Sequence, residues 1–543
     1  MLTSLQLGNF KAFAEAQKLP LRPLTLIFGP NSAGKSSLIH GLILAHEAHR
    51  KGTLDVHRTE LGGESVDLGG FRQYVHRRDT ARRVEWSVEL EVANLRGRLA
   101  ELLAPVKHIE TAFQFGLELD NEGLSLPGAS PRIISYEISA DQTTLLRASR
   151  RLGGYLQIDR LEHEHAVFRS VIKAIVETST TAESISTQDY EGLDEAIAEL
   201  VPQLTIAPGH FFPTGLDKST KSSDSSEPPM LFPISKGHRK EDLSAAVSFF
   251  LPRTLDELIC GLTEATTAQL QRLQYLGPLR SYPPRHITFA QHHDPNWLAG
   301  GGYAWDVVRE NEKVREKVNS WLGDKKKLST PYELQIRHLL TIDDLADDYF
   351  AEMEELERRF AEEEDNRDLF FEIQNTLNVL QEKEDQLSSL KELILVDKRT
   401  NTQVSHRDVG IGVSQVLPVL VTAFASRENI LAIEQPEIHL HPALQAELGD
   451  IFIESALGEQ GNTFVLETHS EHLILRILRR IRETTEGELP KDLFPIKPDD
   501  VQIVYAKPTS KGTILHNLPV SKEGEFLEKW PDGFFPERAK ELF

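Results

Sequence analysis

Lys35 and Ser36 are the residues in this sequence with the clearest chemical purpose. They close the segment Gly29-Pro30-Asn31-Ser32-Ala33-Gly34-Lys35-Ser36-Ser37, whose spacing is G-x-x-x-x-G-K-[ST]. The glycines let backbone N–H groups close around phosphate oxygens, and a following helix adds its N-terminal dipole. In such a loop Lys35 reaches the β- and γ-phosphates and the Ser36 hydroxyl holds Mg²⁺, with Asn31, Gly34 and Ser37 completing the cradle. A glycine-rich turn that binds nothing is the plain alternative. Context argues against it, because the apolar run Leu24–Phe28 precedes the loop and a helical pattern, Ser37–Leu44, follows. The segment predicts a nucleoside triphosphate site.

Four further segments carry groups suited to the same site. Ile430-Leu431-Ala432-Ile433-Glu434 is an apolar strand ending in a carboxylate, which places an acid beside Mg²⁺ at the strand's C-terminal edge. Gln435-Pro436-Glu437-Ile438-His439-Leu440-His441-Pro442 follows it directly. Thr463–Leu466 is a second such strand, running through Glu467 and Thr468 to His469, which can approach a γ-phosphate. Asp408–Gln415 is a Gly/Ser turn leading into the apolar Val416–Val421. His439, His441, His469 and His472 could instead gather a zinc ion, imidazole being a common metal ligand. The nucleotide-site order is preferred, because these residues fit it and no cysteine or H-E-x-x-H accompanies them. The pairs His163/His165 and His292/His293 read as surface residues.

The elements that must position these groups are legible in outline. Leu2–Leu7 and Val84–Val92 alternate apolar and polar residues with the period of a strand having one wet face. Residues 1–130 read as a first lobe holding the phosphate loop, 131–270 as an insertion of uncertain fold, and 271–340 as a return to the core. Within the insertion, 214–240 is expected to be a mobile loop, because Lys218–Pro229 is rich in Ser, Pro and charge with nothing to bury. Ile342, Leu345, Tyr349, Met353, Leu356 and Phe360, then Phe370, Ile373, Leu377 and Leu380, recur at helical steps and predict an acidic helical hairpin over 341–392. Its acidic arm reads first as a solvated face and second as a docking arm for a partner. Residues 393–543 return to strand–helix alternation, with a hairpin at Arg399-Thr400-Asn401 and a largely parallel sheet.

Composition bounds the class. At 543 residues the chain exceeds one core, and 26% charged with 40% hydrophobic residues describes an ordinary globular protein. No run approaches 18 apolar residues, so no membrane partner is expected. Leu2–Leu7 starts a strand where a leader would carry a basic and then an apolar stretch, and the single Cys260 allows no internal disulfide; both fit a cytoplasmic location. A net charge of −23 excludes a uniformly basic nucleic-acid surface and leaves a local basic patch open.

Taken together, the five motifs resemble the ABC-type ATPases of the RecF, RecN and SMC group, and more narrowly the OLD-like bacterial ATPases with E-[EQ]-P-E-x-H-L-H-P and T-H-S motifs. The resemblance covers residues 1–90, 270–320 and 393–543. It implies an ABC-type head of α/β class with a mostly parallel sheet and an antiparallel lobe, binding ATP and Mg²⁺. On it, Gly410–Gln415, with Gly412 and Ser414, stands in the signature loop, Glu434 is the metal-side acid and His469 the switch histidine. Gly8-Asn9-Phe10-Lys11-Ala12-Phe13 resembles the family's N-F-[RK]-x-F opening, with Lys11 facing phosphate, and Gln73 stands where a Mg²⁺-sensing glutamine is expected. Tyr275–Arg280 and Trp530–Phe535 also resemble the group. The implied mechanism is a head-to-head dimer in which Ser414 of one head covers ATP on Lys35 and Ser36 of the other. OLD nucleases carry a TOPRIM domain after the switch histidine, and His469–Phe543 is too short for one, so a separate effector is expected. The chain is therefore similar to Septu-type anti-phage ATPases that work with an HNH nuclease. A RecF-like repair ATPase and a nucleotide-gated scaffold are the other readings, whereas an importer subunit fits poorly because the signature departs from L-S-G-G-Q. Finally, alignment on Pro436 puts Gln435 where most ABC proteins carry their general base. An amide orients water without taking its proton, so slow hydrolysis is expected, with Glu437 as the substitute base and His469 a weaker one.

Overall fold

The structure, a computed structural model, describes residues 1–119, 128–151, 154–179, 190–209, 211–217, 239–280, 296–325, 327–339, 354, 358, 390–404 and 411–529. The expected acidic hairpin lies outside these apart from Glu354, Arg358 and 390–392. Gly410 and Trp530–Phe535 lie outside them entirely.

The chain forms two compact units. The first holds Met1–Leu279, Leu298–Gly300 and Ser426–Phe543; the second holds Arg280–Trp297 and Gly301–Ala425. The strands of the first half are β1 (Leu2–Gly8), β2 (Gln17–Pro20), β3 (Leu24–Phe28), β4 (Arg58–Thr59), β5 (Gly63–Asp67) and β6 (Val84–Glu91). Then come β7 (His108–Gly116), β8 (Arg132–Ala140), β9 (Thr143–Arg150), β10 (Leu156–Leu161), β11 (Thr205–Ala207) and β12 (Gly215–Leu216). The second half adds β13 (Leu273–Leu276), β14 (Tyr332–Leu339), β15 (Leu390–Asp397) and β16 (Thr402–Val404). It ends with β17 (Ile430–Glu434), β18 (Thr463–Glu467), β19 (Val501–Pro508) and β20 (Thr513–Asn517).

In the first unit a six-stranded sheet runs β13-β17-β18-β3-β19-β20. Its first five strands are parallel and β20 returns antiparallel. Every residue of β3, β17 and β18 is buried, as expected of parallel strands covered on both faces. The second sheet of this unit is antiparallel and larger than the sequence suggests, in the order β12-β11-β10-β9-β8-β7-β6-β1-β2. The strands β8 to β12, within the stretch read as an insertion, thus continue the sheet begun by β1 and β6. Their signal is weak in the sequence because each strand finds its partner only across the sheet. Of the loop expected at 214–240, Gly215 and Leu216 form β12, a helix starts at Arg239, and 218–238 lie outside the described residues.

The helix Lys35–Lys51 joins the two sheets of the first unit. Its Gly41 has no Cβ, which lets Leu7 of β1 pack against its backbone, and Trp86 Nε1 of β6 donates to the Gly41 carbonyl at 3.0 Å. Around Trp86 lie Phe113 and Tyr136 of the antiparallel sheet and Phe211 and Phe212 of the connection from β11 to β12, with Phe113 stacked on Tyr136 at 5.1 Å between centroids.

The second unit holds the sheet β14-β15-β16 and the helices Tyr303–Glu310, Glu312–Gly323 and Ile411–Ala425. The Arg399–Asn401 turn joins β15 to β16 as the sequence predicts. Trp321 stacks on Phe424, and Tyr303 Oη meets Thr422 Oγ1 at 2.5 Å.

Candidate functional site

The site grows from the C-terminal ends of β3, β17 and β18, where the chain leaves a parallel sheet and side chains can converge on one crevice. Beyond β3 the phosphate loop turns through Ser32 and Gly34, both in the left-handed region, into the helix that begins at Lys35. A Cβ at Gly34 would strike the Ala12 side chain, so only glycine fits this approach. β20 braces the same spot: Thr513 Oγ1 donates to the Ala33 carbonyl at 2.7 Å and the Thr513 amide to the Ala12 carbonyl at 2.9 Å. Asn31 is exposed on the loop, whereas Lys35 and Ser37 are buried.

The Lys35 ammonium donates to the Pro30 carbonyl at 3.1 Å and lies 3.7 Å from Glu467 Oε1. The Ser36 hydroxyl donates to Glu467 Oε2 at 2.6 Å. Glu467, not Glu434, is therefore the carboxylate that meets Ser36. Sheet order explains it: β18 lies between β3 and β17, so its terminal residue stands beside the loop while Glu434, paired with Glu467 in register, is one strand further off. Both carboxylates are buried. Burial, and then the neighbouring Glu434 carboxylate, push the Glu467 carboxyl up to about 7, against the pull of Ser36 and Lys35. Burial also lowers the Lys35 ammonium.

Glu434 anchors a second chain of contacts. Tyr275 Oη of β13 donates to Glu434 Oε1 at 3.1 Å, and His40 Nε2 stands 3.4 Å from the same oxygen. The other ring nitrogen of His40, Nδ1, lies 2.6 Å from Lys11 Nζ. His40 follows Ser36 by one helical turn, so Lys11 reaches Glu434 through a helix residue. Burial lowers Lys11 to about 8 and lowers His40 as well. Lys11 sits at positive φ, its amide bonded to the Tyr74 carbonyl and its carbonyl to His76 Nδ1. Gln73, beside Tyr74 on the short helix Phe71–Tyr74, is exposed.

Beyond β17, Gln435 takes φ 46° and donates its amide to the Glu467 carbonyl at 2.8 Å. Glu437 is buried, and its two oxygens accept from the Thr468 hydroxyl at 2.9 Å and the His469 amide at 2.6 Å. Glu437 thus fixes the loop that presents His469. Burial, and then the Lys35 charge, hold the His469 imidazole down at about 4. Ser470 caps the next helix and donates to Gln445, and His441 caps the helix Pro442–Leu457. Among the described residues, the one group of three or more ligands close enough for a metal is His163, Glu164 and Asp194, so His439, His441, His469 and His472 form no zinc cluster there.

Gly412 and Ser414 belong to the second unit, in the first turn of the helix Ile411–Ala425, where Ser414 is 2% exposed. Nearby, Arg280 Nη1 donates to the Gln415 carbonyl at 3.2 Å.

The oxygen-only donor set of Ser36, Glu467 and Glu434 suits a hard divalent cation such as Mg²⁺. Comparison with known families agrees with this chemistry. Residues 305–474 match the family described as AAA ATPase domain, and residues 496–543 match one described as a protein of unknown function, DUF3696. The first of these stretches is similar to an AAA ATPase domain. The matched part of that ATPase domain is less than half of the chain; it takes in Ser414, Glu434, Glu437, Glu467 and His469 and begins after the phosphate loop. No curated protein matches the chain. Solved structures similar to it include the SMC head domain from Thermotoga maritima, at 8% identity and TM-score 0.32, covering 96% of this chain and 99% of that one. Another is the SmcHead bound to the C-winged helix domain of ScpA, at 9% identity and TM-score 0.35, covering 96% and 98%. A third is the Smc head domain with an extended coiled coil bound to the C-terminal domain of ScpA, derived from Pyrococcus furiosus, at 11% identity and TM-score 0.33, covering 100% and 98%. Among the described residues no helix is long and apolar enough to cross a membrane.

Glu467, Tyr275 and His40 are the site residues that sequence reasoning missed. Glu467 ends the apolar strand run Thr463–Leu466 just as Glu434 ends Ile430–Ile433, and that is the signal in the sequence that points to it.

Proposed function

We propose that this chain binds and slowly hydrolyses ATP with Mg²⁺, closes as a homodimer when ATP is bound, and so controls a separate effector protein. The convergence of Lys35, Ser36, Glu467, Glu434 and His469 at one strand edge carries the reading. Mg²⁺ bound there would neutralise phosphate charge; Ser36, Glu434 and Glu467 are the residues to hold it. Lys35 binds the phosphates as a charge-assisted donor. Lys11 orients His40 and, through it, Glu434.

His469, neutral near pH 7, supports a hydrogen-bonding role at the γ-phosphate rather than an acid one. The amide at Gln435 supports slow turnover, with Glu437 as the stand-in base that also positions His469. Closure uses Gly412 and Ser414 in trans against a partner's phosphates. Ser414 is buried in its own chain, so the first turn of its helix must open to the partner. Gln73, exposed beside the Lys11 segment, is the residue proposed to sense the metal once a nucleotide arrives.

The effector is proposed to be a nuclease in bacterial anti-phage defence. That step rests on the Septu-type resemblance of the motifs and on the acidic 341–392 segment as its docking arm; direct contact of the heads with nucleic acid is the further possibility. Light scattering after co-expression with the flanking gene, with and without ATP, tests both parts. Wild-type heads should double in mass on ATP while Ser414→Arg heads bind nucleotide and stay single. A Ser414→Arg protein that still dimerises on ATP removes the trans role.

A further inference from the structure

We infer that Glu467 is a working carboxylate of the divalent-cation site, coupling nucleotide affinity to the metal. This rests on nucleotide binding at the phosphate loop. The loop's two functional side chains, Lys35 and Ser36, both face Glu467, at 3.7 and 2.6 Å. Glu434, which the motif order nominates for the metal, is held instead by Tyr275 and faces His40. Register puts the two carboxylates side by side on neighbouring parallel strands, about 4.8 Å apart in backbone spacing.

Two buried carboxylates beside one lysine repel the phosphates that the lysine attracts. A divalent cation reverses the sign of that interaction, because it attracts Glu467, Glu434 and the phosphate oxygens together. The same hydroxyl that now donates to Glu467 is the one a phosphate loop offers to its cation, so the carboxylate is already where the metal arrives. With Glu467 present, nucleotide binds weakly alone and strongly with metal. Without it, the metal loses a ligand and the phosphates lose a repulsive neighbour.

The test is equilibrium binding of a fluorescent ATP analogue to the full-length chain, in Mg²⁺ and in EDTA. Wild type should bind more tightly with Mg²⁺. Glu467→Gln should shrink that enhancement by about tenfold or more, the scale of losing a group that supports a metal, with affinity in EDTA rising. Ser36→Ala should shrink it too, and the double variant should lose no more than the larger single, as expected of partners on one cation. Glu467→Asp keeps the charge but withdraws it from Ser36, and serves if Glu467→Gln fails to fold; its enhancement should also fall. An enhancement equal to wild type in either Glu467 variant overturns the inference. So does an affinity gain that is the same with and without Mg²⁺, which would make Glu467 a simple anion in the phosphate site. A wild-type chain that binds no nucleotide at all overturns the nucleotide reading itself, whereas intact binding with unchanged metal enhancement sinks only the role of Glu467.

Discussion

The edge of the parallel sheet and the heart of the antiparallel sheet bury their side chains on opposite principles. Around Trp86, Phe113, Tyr136, Phe211 and Phe212 the buried groups are aromatic rings packed at centroid distances of 4.7 to 6.0 Å. At the ends of β3, β17 and β18 they are Lys35, Glu434, Glu437 and Glu467, all under 9% exposed. Charged groups so buried cost free energy unless paired, and the backbone there is strained as well, with Ser32, Gln435 and His439 at positive φ. Such an arrangement is what the proposed nucleotide site requires, whereas the ring cluster packs the core. Helix Lys35–Lys51 binds the two together, its first turn in the site and its Gly41 against Trp86.

Variants at each place should therefore change different observables. Lys35→Ala gives the largest change. Loss of charge-assisted contacts of roughly 1.5–3 kcal/mol each should lower nucleotide affinity about 100-fold or more. Near-wild-type affinity in a fluorescence titration removes the nucleotide assignment. Phe113→Ala should do the converse: about 3–5 kcal/mol less stability to urea, with nucleotide affinity of the folded protein kept. If it abolishes binding at a temperature where the chain is folded, the two regions are not separable.

Turnover comes next. Gln435→Glu should speed steady-state phosphate release by about tenfold or more, the lower part of what a general base supplies, and Glu437→Gln should slow it. No effect of Glu437→Gln together with fast wild-type turnover sinks both the base assignment and the slow switch.

The smallest effects are in the pH dependence of stability, and their signs oppose. Folded His469 titrates at about 4 against an ordinary 6.5, so between those values the unfolded chain binds more protons and stability falls as pH falls. Folded Glu467 titrates at about 7 against 4.5, so it keeps a proton the unfolded chain has lost, and stability falls as pH rises through that window. Denaturant melts from pH 4 to 7 should show His469→Asn relieving the acid-side loss and Glu467→Gln the loss on the other side. Identical slopes in both variants and wild type contradict the assigned burial.

Much of the parallel edge was legible because its signals are local. The phosphate loop declares itself through glycine spacing between a strand and a helix, and β17 and β18 are short apolar runs ending in a carboxylate. The antiparallel sheet was not, beyond β1 and β6. Strands such as β9 and β11 are specified by cross-strand neighbours that the sequence does not name. The strands β8 to β12 thus lie in a stretch that reads as an insertion while forming part of one sheet with β1.

The sequence by itself determined the chemistry: a lysine and a serine on a phosphate loop, carboxylates and a histidine at strand ends, and an amide where a base is usual. The tertiary structure alone decided which of them meet. Ser36 and Glu467 are 431 positions apart and Tyr275 and Glu434 159, and no local periodicity links them. The order β17-β18-β3 is fixed by how buried parallel strands pack under their crossover helices. It sets Glu467 one strand from the phosphate loop and Glu434 two, and that single strand width determines which carboxylate holds the serine.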